Sequence, residues 1–404
     1  MKQRTAFLVV AAGLLALIAS ANLAAPLYAV YSKQYGFSSG LLALIFATYA
    51  LVLIPSLLAF GQLSDRLGRR PVVAAGLALG IVGLVLFALA DGVAGLFAAR
   101  AVQGLSLGMI SGAATAALVE LEPTGNRRRA ALLATVAQAG GSALGPLVGG
   151  MLAQSAPDPT ILPYVVGMAT LAVLVVAVLA IPEPAPGRGG RWRVQRPNVP
   201  AEIRGPFTRV ALTAAALWAV AALFLSVIPS YAGQILGSEN LALLGAIAAV
   251  MLAASCAAQI AVRKGAPPIA AQAGGLVLLA VGLLGLVLAS PLHAIWPLVA
   301  GAAIAGAGHG VGFLATQDDL NNIAPAEQRA EVNAAFYVCI YLGVSLSVIG
   351  VGILADAASL FTGVEVFAAV TGAAALVVAA WHVAAGGGRR AAERPTRYVR
   401  AGAR

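Results

Sequence analysis

The chain has 404 residues, 60% of them apolar and 10% charged, with a mean hydropathy of +0.92. These values exclude a soluble globular domain, which needs far more polar residue for its surface. The net charge of +10 is placed where anionic lipid head groups would meet it, so no nucleic-acid partner is read from it.

A membrane-spanning helix needs about 20 mostly apolar residues. Twelve such stretches run over 6–28, 40–62, 71–90, 93–118, 129–154, 161–181, 208–231, 240–262, 268–290, 295–317, 331–354 and 361–384. The first follows Lys2 and Arg4 and contains Ala19-Ser20-Ala21, which together imitate a secretory leader. The apolar run continues towards Tyr28, however, and its removal would leave an odd number of spans. It is read as the first transmembrane helix, with Ser20, Asn22 and Tyr28 as its polar groups.

The second span ends in Gly61-Gln62-Leu63-Ser64-Asp65-Arg66-Leu67-Gly68-Arg69-Arg70-Pro71. Gly61 lets helices approach closely, and Asp65 can cap a helix start or pair with a nearby Arg. Gly68 permits a tight turn and Pro71 suits the first turn of the next helix. The fourth span holds Arg100-Ala101-Val102-Gln103-Gly104, with Arg100 about two turns in from one end. An intramembrane Arg is costly and points to function; the alternative is a structural Arg bonded to backbone carbonyls and Gln103. In the fifth span Gly141, Gly145 and Gly149 lie four apart on one face, beside Pro146 and Gly150. That spacing allows close packing, and Pro146 can kink the helix.

Residues 182–206, rich in Pro, Gly and Arg, read as a linker between two halves, 1–181 and 207–385. Residues 386–404 form a basic tail expected to lack fixed structure. Beyond the linker, Tyr231 and Gln234 flank the end of the seventh span. The tenth holds Gly306-Ala307-Gly308-His309-Gly310 and then Asp318 and Asp319; Tyr337 and Tyr341 share a face of the eleventh. With Asn22, Tyr28 and Gln138, the four residues Tyr231, Gln234, Tyr337 and Tyr341 are the candidates to line a cavity. His293 and His382 lie near span ends and are expected at the interface. Cys256 and Cys339 fall within spans and are expected to pack as small apolar groups.

All but two of the twenty-five Lys and Arg residues fall in alternate gaps between spans; Lys33 and Arg100 are the exceptions. Loops that stay in the cytoplasm retain Lys and Arg, so both termini are expected there. A shift of 202 residues superposes Gly104 on Gly306, Gly108 on Gly310, Pro123 on Pro325, Arg127 on Arg329, Gly141 on Gly343 and Gly150 on Gly352. Such repeats, with a binding site at their interface, are a recurrent transporter design.

The loop Gly61–Pro71 closely resembles the signature loop of the major facilitator superfamily. Arg100-x-x-Gln103-Gly104 resembles that superfamily's second motif, and Gly141-x-x-x-Gly145-Pro146-x-x-Gly149-Gly150 resembles the motif marking its exporters, chiefly drug–proton antiporters. The resemblance implies an all-α polytopic membrane protein with 12 transmembrane helices in two pseudo-symmetric six-helix bundles. It implies a gating role for Gly61, Asp65, Arg66, Gly68, Arg69 and Arg70, which would hold the halves together on the cytoplasmic side in the outward-open state. Arg100 is associated in the family with proton coupling or a hydrogen-bond network. In the second half, Arg263-Lys264-Gly265-Ala266-Pro267-Pro268 is only a worn counterpart of the Asp65 loop.

One departure stands out. Family antiporters often carry a membrane-embedded acid, and none of the fifteen acids here falls near mid-membrane. His309 does, and histidine changes charge near physiological pH. It is therefore the candidate carrier of a coupling proton, with Arg100 and Gln103 beside it in the coupling set and Asp318 and Asp319 as a relay. The alternatives are a neutral imidazole bonded between helices, and two acids solvated at a helix end beside Arg329. The expected function is a secondary exporter of small lipophilic or drug-like molecules by proton antiport. A sugar or metabolite efflux permease comes second, and a non-transporting sensor or scaffold ranks low. No enzyme activity, cofactor or metal is expected. The expected partners are a small-molecule substrate, protons and membrane lipids, for a monomer in a bacterial inner membrane.

Overall fold

The computed structural model describes residues 3–187, 189, 194–262 and 268–392, with the backbone alone for 386–392. Lys2, Arg188, Arg191, Arg193, the Arg263–Pro267 stretch and the tail beyond Ala392 lie outside the described residues.

The first bundle is built from α1 (Gln3–Asn22), α2 (Tyr28–Tyr35), α3 (Ser39–Phe60), α4 (Leu63–Leu67), α5 (Arg69–Ala88), α6 (Val93–Leu121), α7 (Arg127–Ser155) and α8 (Leu162–Leu179). The second comprises α9 (Arg204–Ser226), α10 (Ile228–Leu236), α11 (Leu241–Ala261), α12 (Pro268–Ala289), α13 (Ile295–Ile323), α14 (Arg329–Ala357) and α15 (Leu360–Ala392). Among the described residues, twelve helices are long and apolar enough to cross a membrane, as the sequence reading expects. The end that carries Arg66–Arg70, Arg127–Arg129 and Arg329 is here called the basic face, and the other the opposite face.

The tenth span runs on to Ile323 instead of ending at 317, and three further boundaries differ from expectation by five residues or more. The first span stops at Asn22 and resumes as α2, and the seventh stops at Ser226 and resumes as α10. A proline ring clashes with the carbonyl four residues back. Pro26 and Pro229 place that clash at Asn22 and Leu225, so each helix ends there in both halves. The last of the three is α15, which runs on to Ala392 instead of ending at 384. A helix already formed in lipid extends into water at little cost, because each added residue closes another hydrogen bond.

The repeat reappears in the packing. Gly104 seats α6 on α3, facing the Tyr49 carbonyl, and Gly306 seats α13 on α11, facing that of Met251. At the opposite face Gly150 of α7 meets Leu241 and Ala242, while Gly352 of α14 meets Ser39 and Gly40. All these pairs are related by the same 202-residue shift. The halves thus close on each other through α7–α11 and α3–α14. Gln154 accepts from the Leu241 amide at 2.8 Å, Asp356 accepts from the Gly40 amide at 3.0 Å and from Ser38, and Lys33 pairs with Glu239.

Towards the basic face α7 and α11 still touch, with the Cys256 thiol 4.0 Å from the Val136 carbonyl. Leu8, Leu15 and Asn22 are seven apart and share one face of α1. Asn22 lines the cavity between the halves, while Leu8, at the basic end of that face, is 52% exposed. Gly112, one residue past the cavity-lining Ser111 on α6, is exposed too. The two halves are clasped at the opposite face.

Candidate functional site

The halves enclose a cavity of about 60 Å³ at mid-membrane. Its wall takes Ile18, Ala21, Asn22, Tyr49, Arg100, Leu107, Ser111, Gln138 and Ser142 from the first half and Trp218, Leu225 and Tyr341 from the second. Of the expected cavity residues, Asn22, Gln138 and Tyr341 are here. Tyr337 stacks on Tyr341 at 6.5 Å. The others lie elsewhere. Tyr28 is buried against Arg100. Tyr231 donates to the Leu286 carbonyl at 2.8 Å and packs on Phe361 inside the second half. Gln234 lines a separate cavity of about 870 Å³ at the opposite face, with Lys33, Gln154 and Glu239. The break before α10 redirects the chain past Ser226 and so separates Gln234 from the centre.

Arg100 is 1% exposed. It donates through Nη1 to the Ala21 carbonyl and to Gln103, each at 2.9 Å, and through Nε to the Tyr28 hydroxyl. The rings of Tyr28, Phe46, Phe87 and Tyr49 surround the guanidinium at 5.2–5.6 Å. Each such contact contributes about 0.5–2 kcal/mol. The carbonyl and Gln103 bonds are those of the structural reading, yet the residue also forms cavity wall.

His309 is 1% exposed, its Nδ1 2.8 Å from the Ser255 hydroxyl, which also accepts from Gln259 at 3.2 Å. Trp218 stands edge-on to the imidazole at 5.3 Å and itself lines the cavity. His309 is therefore one ring behind the cavity wall. Asp319 accepts from Gln272 at 2.9 Å. Asp318 and Asp319 follow His309 by nine and ten residues, about 14 Å by helical rise, so the relay is not assembled around the imidazole. His382, expected at the interface, is fully buried with its Nε2 2.9 Å from the Thr213 hydroxyl. The apolar environment of α15 leaves that ring nitrogen no water, and Thr213 supplies the partner. Cys256 and Cys339 are free and half-buried.

In the basic-face loop, Arg69 pairs with Asp65 at 2.6 Å and with Glu120 at 3.0 Å, and donates to Ser64. Gly68 has φ 98°, and Glu183 accepts from the amides of Arg69 at 2.7 Å and Arg70 at 3.2 Å. Arg70 also donates to the Ile181 carbonyl. Arg66 lies on α4 with its carbonyl against Gly187. The space beside Gly61 holds the side chain of Gln195, and the backbone N–H of Gln195 donates to the Leu58 carbonyl at 2.9 Å. Asn198, three residues on, bonds Glu331 at the start of α14. The linker thus crosses from one half to the other at the basic face.

At the next basic loop, burial opposes ionisation of Glu122. The amides of Asn126 and Thr124, the Thr124 hydroxyl and Arg129 nevertheless hold its carboxyl below the ordinary range.

Gly141 and Gly145 face the carbonyls of Leu15 and Ala19 on α1 and Gly149 that of Leu23 just beyond it, whereas Gly150 faces Leu241 across the halves. Gly245 of α11 in turn lies on the Pro146 carbonyl. The residues missed in sequence are Tyr49, Ser111, Ser142, Trp218 and Glu183. Two had a legible signal: Trp218 as a bulky ring inside a span otherwise rich in Ala, and Glu183 as an acid beginning an arginine-rich linker.

The sequence profile of the Major Facilitator Superfamily matches residues 9–283. The inner membrane transport protein YajR of Escherichia coli (strain K12) is 38% identical over 95 residues, 24% of this chain and 20% of YajR. The quinolone resistance protein NorA of Staphylococcus aureus (strain MRSA252) is 25% identical over 205 residues, 51% of this chain and 52% of NorA. The chain spans from a fifth to about half the length of these curated relatives. Among solved structures, a D-xylose–proton symporter superposes with a TM-score of 0.75 at 16% identity, covering 94% of this chain and 96% of that one. The human organic anion transporter MFSD10 (TETRAN) does so with 0.69 at 17%, covering 94% and 100%. At such identities the likeness is one of fold.

Proposed function

Because the chain belongs to the Major Facilitator Superfamily, and is therefore a multi-pass membrane transporter and not an enzyme, we propose that it is a secondary active exporter of small lipophilic or drug-like molecules. The halves 1–181 and 207–385, joined by the 182–206 linker and followed by the basic 386–404 tail, rock about the central cavity. The basic face lies in the cytoplasm of a bacterial inner membrane, the chain works as a monomer, and protons are exchanged for cargo.

The observation that carries this reading is the seating of α7. Its glycine face is locked on α1, and its Pro146–Gly150 face rests on the other half at the closed end. Gln138 and Ser142 of the same helix form cavity wall. One helix therefore links the cargo site to the closure that must open for release. The likeness to a quinolone resistance protein over half the chain supports the drug-like class.

For the proton, His309 is a histidine one ring behind the cavity wall, and Ser255 and Gln259 continue its hydrogen-bonded line one turn towards the basic face. A second reading has its own support: two amides, Asn22 and Gln138, beside Tyr49, Trp218 and Tyr341 are the groups a sugar would also use.

Everted vesicles with an acidified interior and a pH-sensitive dye test both. Compound-dependent proton release by lipophilic drugs, absent from Asp65→Ala vesicles, is the outcome for antiport. Response to sugars instead selects the metabolite permease. His309→Gln with undiminished proton release removes the histidine from the coupling path.

A further inference from the structure

The charge of the central cavity is what the exporter reading leaves unexplained. Arg100 is the one ionisable wall residue with a permanent charge, since a guanidinium stays protonated in proteins. Its hydrogen-bond partners are a tyrosine hydroxyl, a backbone carbonyl and an amide, all neutral, and no ion pair to it occurs among the described residues. A buried cation without a counter-ion is costly, and ring faces offset only part of that cost.

Two residues of the cavity wall each bury a donor that has no acceptor among the described residues. The donors are Arg100 Nη2, from the first half, and the indole Nε1 of Trp218, from the second. Buried donors as a rule have partners. Two unmet donors of this kind, one of them charged, on wall residues of one cavity between two mobile halves call for a ligand that brings oxygen acceptors and negative charge. A carboxylate meets both needs, because guanidinium and carboxylate match in shape and charge. The remaining wall offers aromatic faces in Tyr49, Tyr341 and Trp218, which suit a planar ring system.

We propose that the cavity binds aromatic organic acids as their anions, the carboxylate held by Arg100 from one half and by the Trp218 indole from the other. The proposal rests on the exporter reading only for the direction of movement, and it narrows the drug-like class to acidic members. Binding of the anion neutralises the cavity, so the loaded transporter can occlude without an unpaired charge at its centre. Export of a monoanion also moves negative charge outwards, whether or not a proton enters in exchange. A negative-inside potential of 100 mV then sustains about a 50-fold gradient by itself. A membrane-embedded acid is not required for that drive.

The test is equilibrium binding to the full chain in lipid nanodiscs, with radiolabelled 2-naphthoate displaced by unlabelled 2-naphthoate, its methyl ester or naphthylmethylammonium. The wild type is expected to prefer the acid at least tenfold over both analogues. Arg100→Gln is expected to lose at least tenfold in naphthoate affinity and with it the preference over the ester. Trp218→Phe is expected to weaken the acid several-fold and to narrow its preference over the ester. Equal or tighter binding of the ester or the ammonium overturns the proposal, and so does failure of folded wild type to bind naphthoate at millimolar concentration. Arg100 also anchors Tyr28 and Ala21, so Arg100→Gln can fail to fold; the comparison of ligands on the wild type then decides alone. Acid-selective binding with no outward movement in vesicles removes the export reading and leaves the anion site standing. Export of neutral drugs with no preference for the acid does the reverse.

Discussion

Gly68 and Glu183 show how single residues hold the basic-face loop. Gly68 has φ 98° and ψ 161°, a region that only glycine enters without strain, and the Glu183 carboxylate lies 2.7 Å from where a Cβ would stand. Gly68→Ala therefore meets two penalties, a strained backbone of about 1–3 kcal/mol and displacement of the carboxylate that caps α5. The expected result is a lower melting temperature in detergent, larger than that of Glu183→Gln, which weakens the charged cap by about 1 kcal/mol. Equal losses in the two variants would show that the cap alone matters. The turn at Gly68 was legible, since Gly between charged residues before a Pro-started helix has a local cause. Its capping acid was not, because Glu183 follows Arg69 by 114 residues and only the fold brings them together. Arg100 lies between these cases. A buried Arg announces that it needs partners, but nothing local names Tyr28 or Phe46 as the ones it finds.

At the scale of one element, α7 carries two glycine faces with different duties. A Cβ at Gly145 would stand 2.5 Å from the Ala19 carbonyl oxygen within the first half, whereas one at Gly150 would overlap the Leu241 carbonyl of the second. Gly145→Val should therefore damage a permanent contact and cost about 1–3 kcal/mol of stability. Gly150→Val meets a contact that alternating access breaks in each cycle. It should leave the melting temperature nearly unchanged and shift the population towards opening at the opposite face. Thermal unfolding together with the labelling rate of a cysteine placed at Ser230 separates the two. Comparable melting losses with no change in labelling would mean that α7–α11 does not part. The i, i+4 glycine face was plain in the sequence because helical spacing alone defines it. The second face was not, since Gly150 directly follows Gly149 and only tertiary packing tells them apart. The breaks after Asn22 and Ser226 also had a visible cause in Pro26 and Pro229. Hydropathy alone carried both spans past them, because the residues beyond each break stay apolar.

Across the whole molecule, the closure at the opposite face is a pair of clasps related by the repeat. Gln154 caps the start of α11 from α7, and Asp356, 202 residues later, caps the start of α3 from α14. The N-caps Ser38 and Asn240 are related by the same shift and bond Leu41 and Leu243. The repeat was read from Gly, Pro and Arg matches and missed these pairs, because Gln and Asp, or Ser and Asn, do one job with different side chains. The two clasps differ in strength, since only Asp356 sets a negative charge against a helix N-terminus. Asp356→Asn should loosen the closure by about 1 kcal/mol, roughly a fivefold shift in the open population, and Gln154→Ala by less. Spin labels at Gln34 and Leu236, with their separation measured by electron resonance, report that shift. Lys33 and Glu239 add a third tie whose pH response has a definite sign. The bond and charge of Lys33 hold the Glu239 carboxyl below its ordinary value in the closed state, and opening returns it to that ordinary value. The tie is therefore fully present above that value and is lost as pH falls through the depressed one. Acid at the opposite face should lengthen the Gln34–Leu236 separation while alkali leaves it unchanged. Both partners are exposed, so the effect is small and shrinks further with added salt. Glu239→Gln should remove this part of the acid response and leave the Asp356 clasp in place. An acid-induced lengthening of equal size in Glu239→Gln would assign the pH dependence to a group other than this pair.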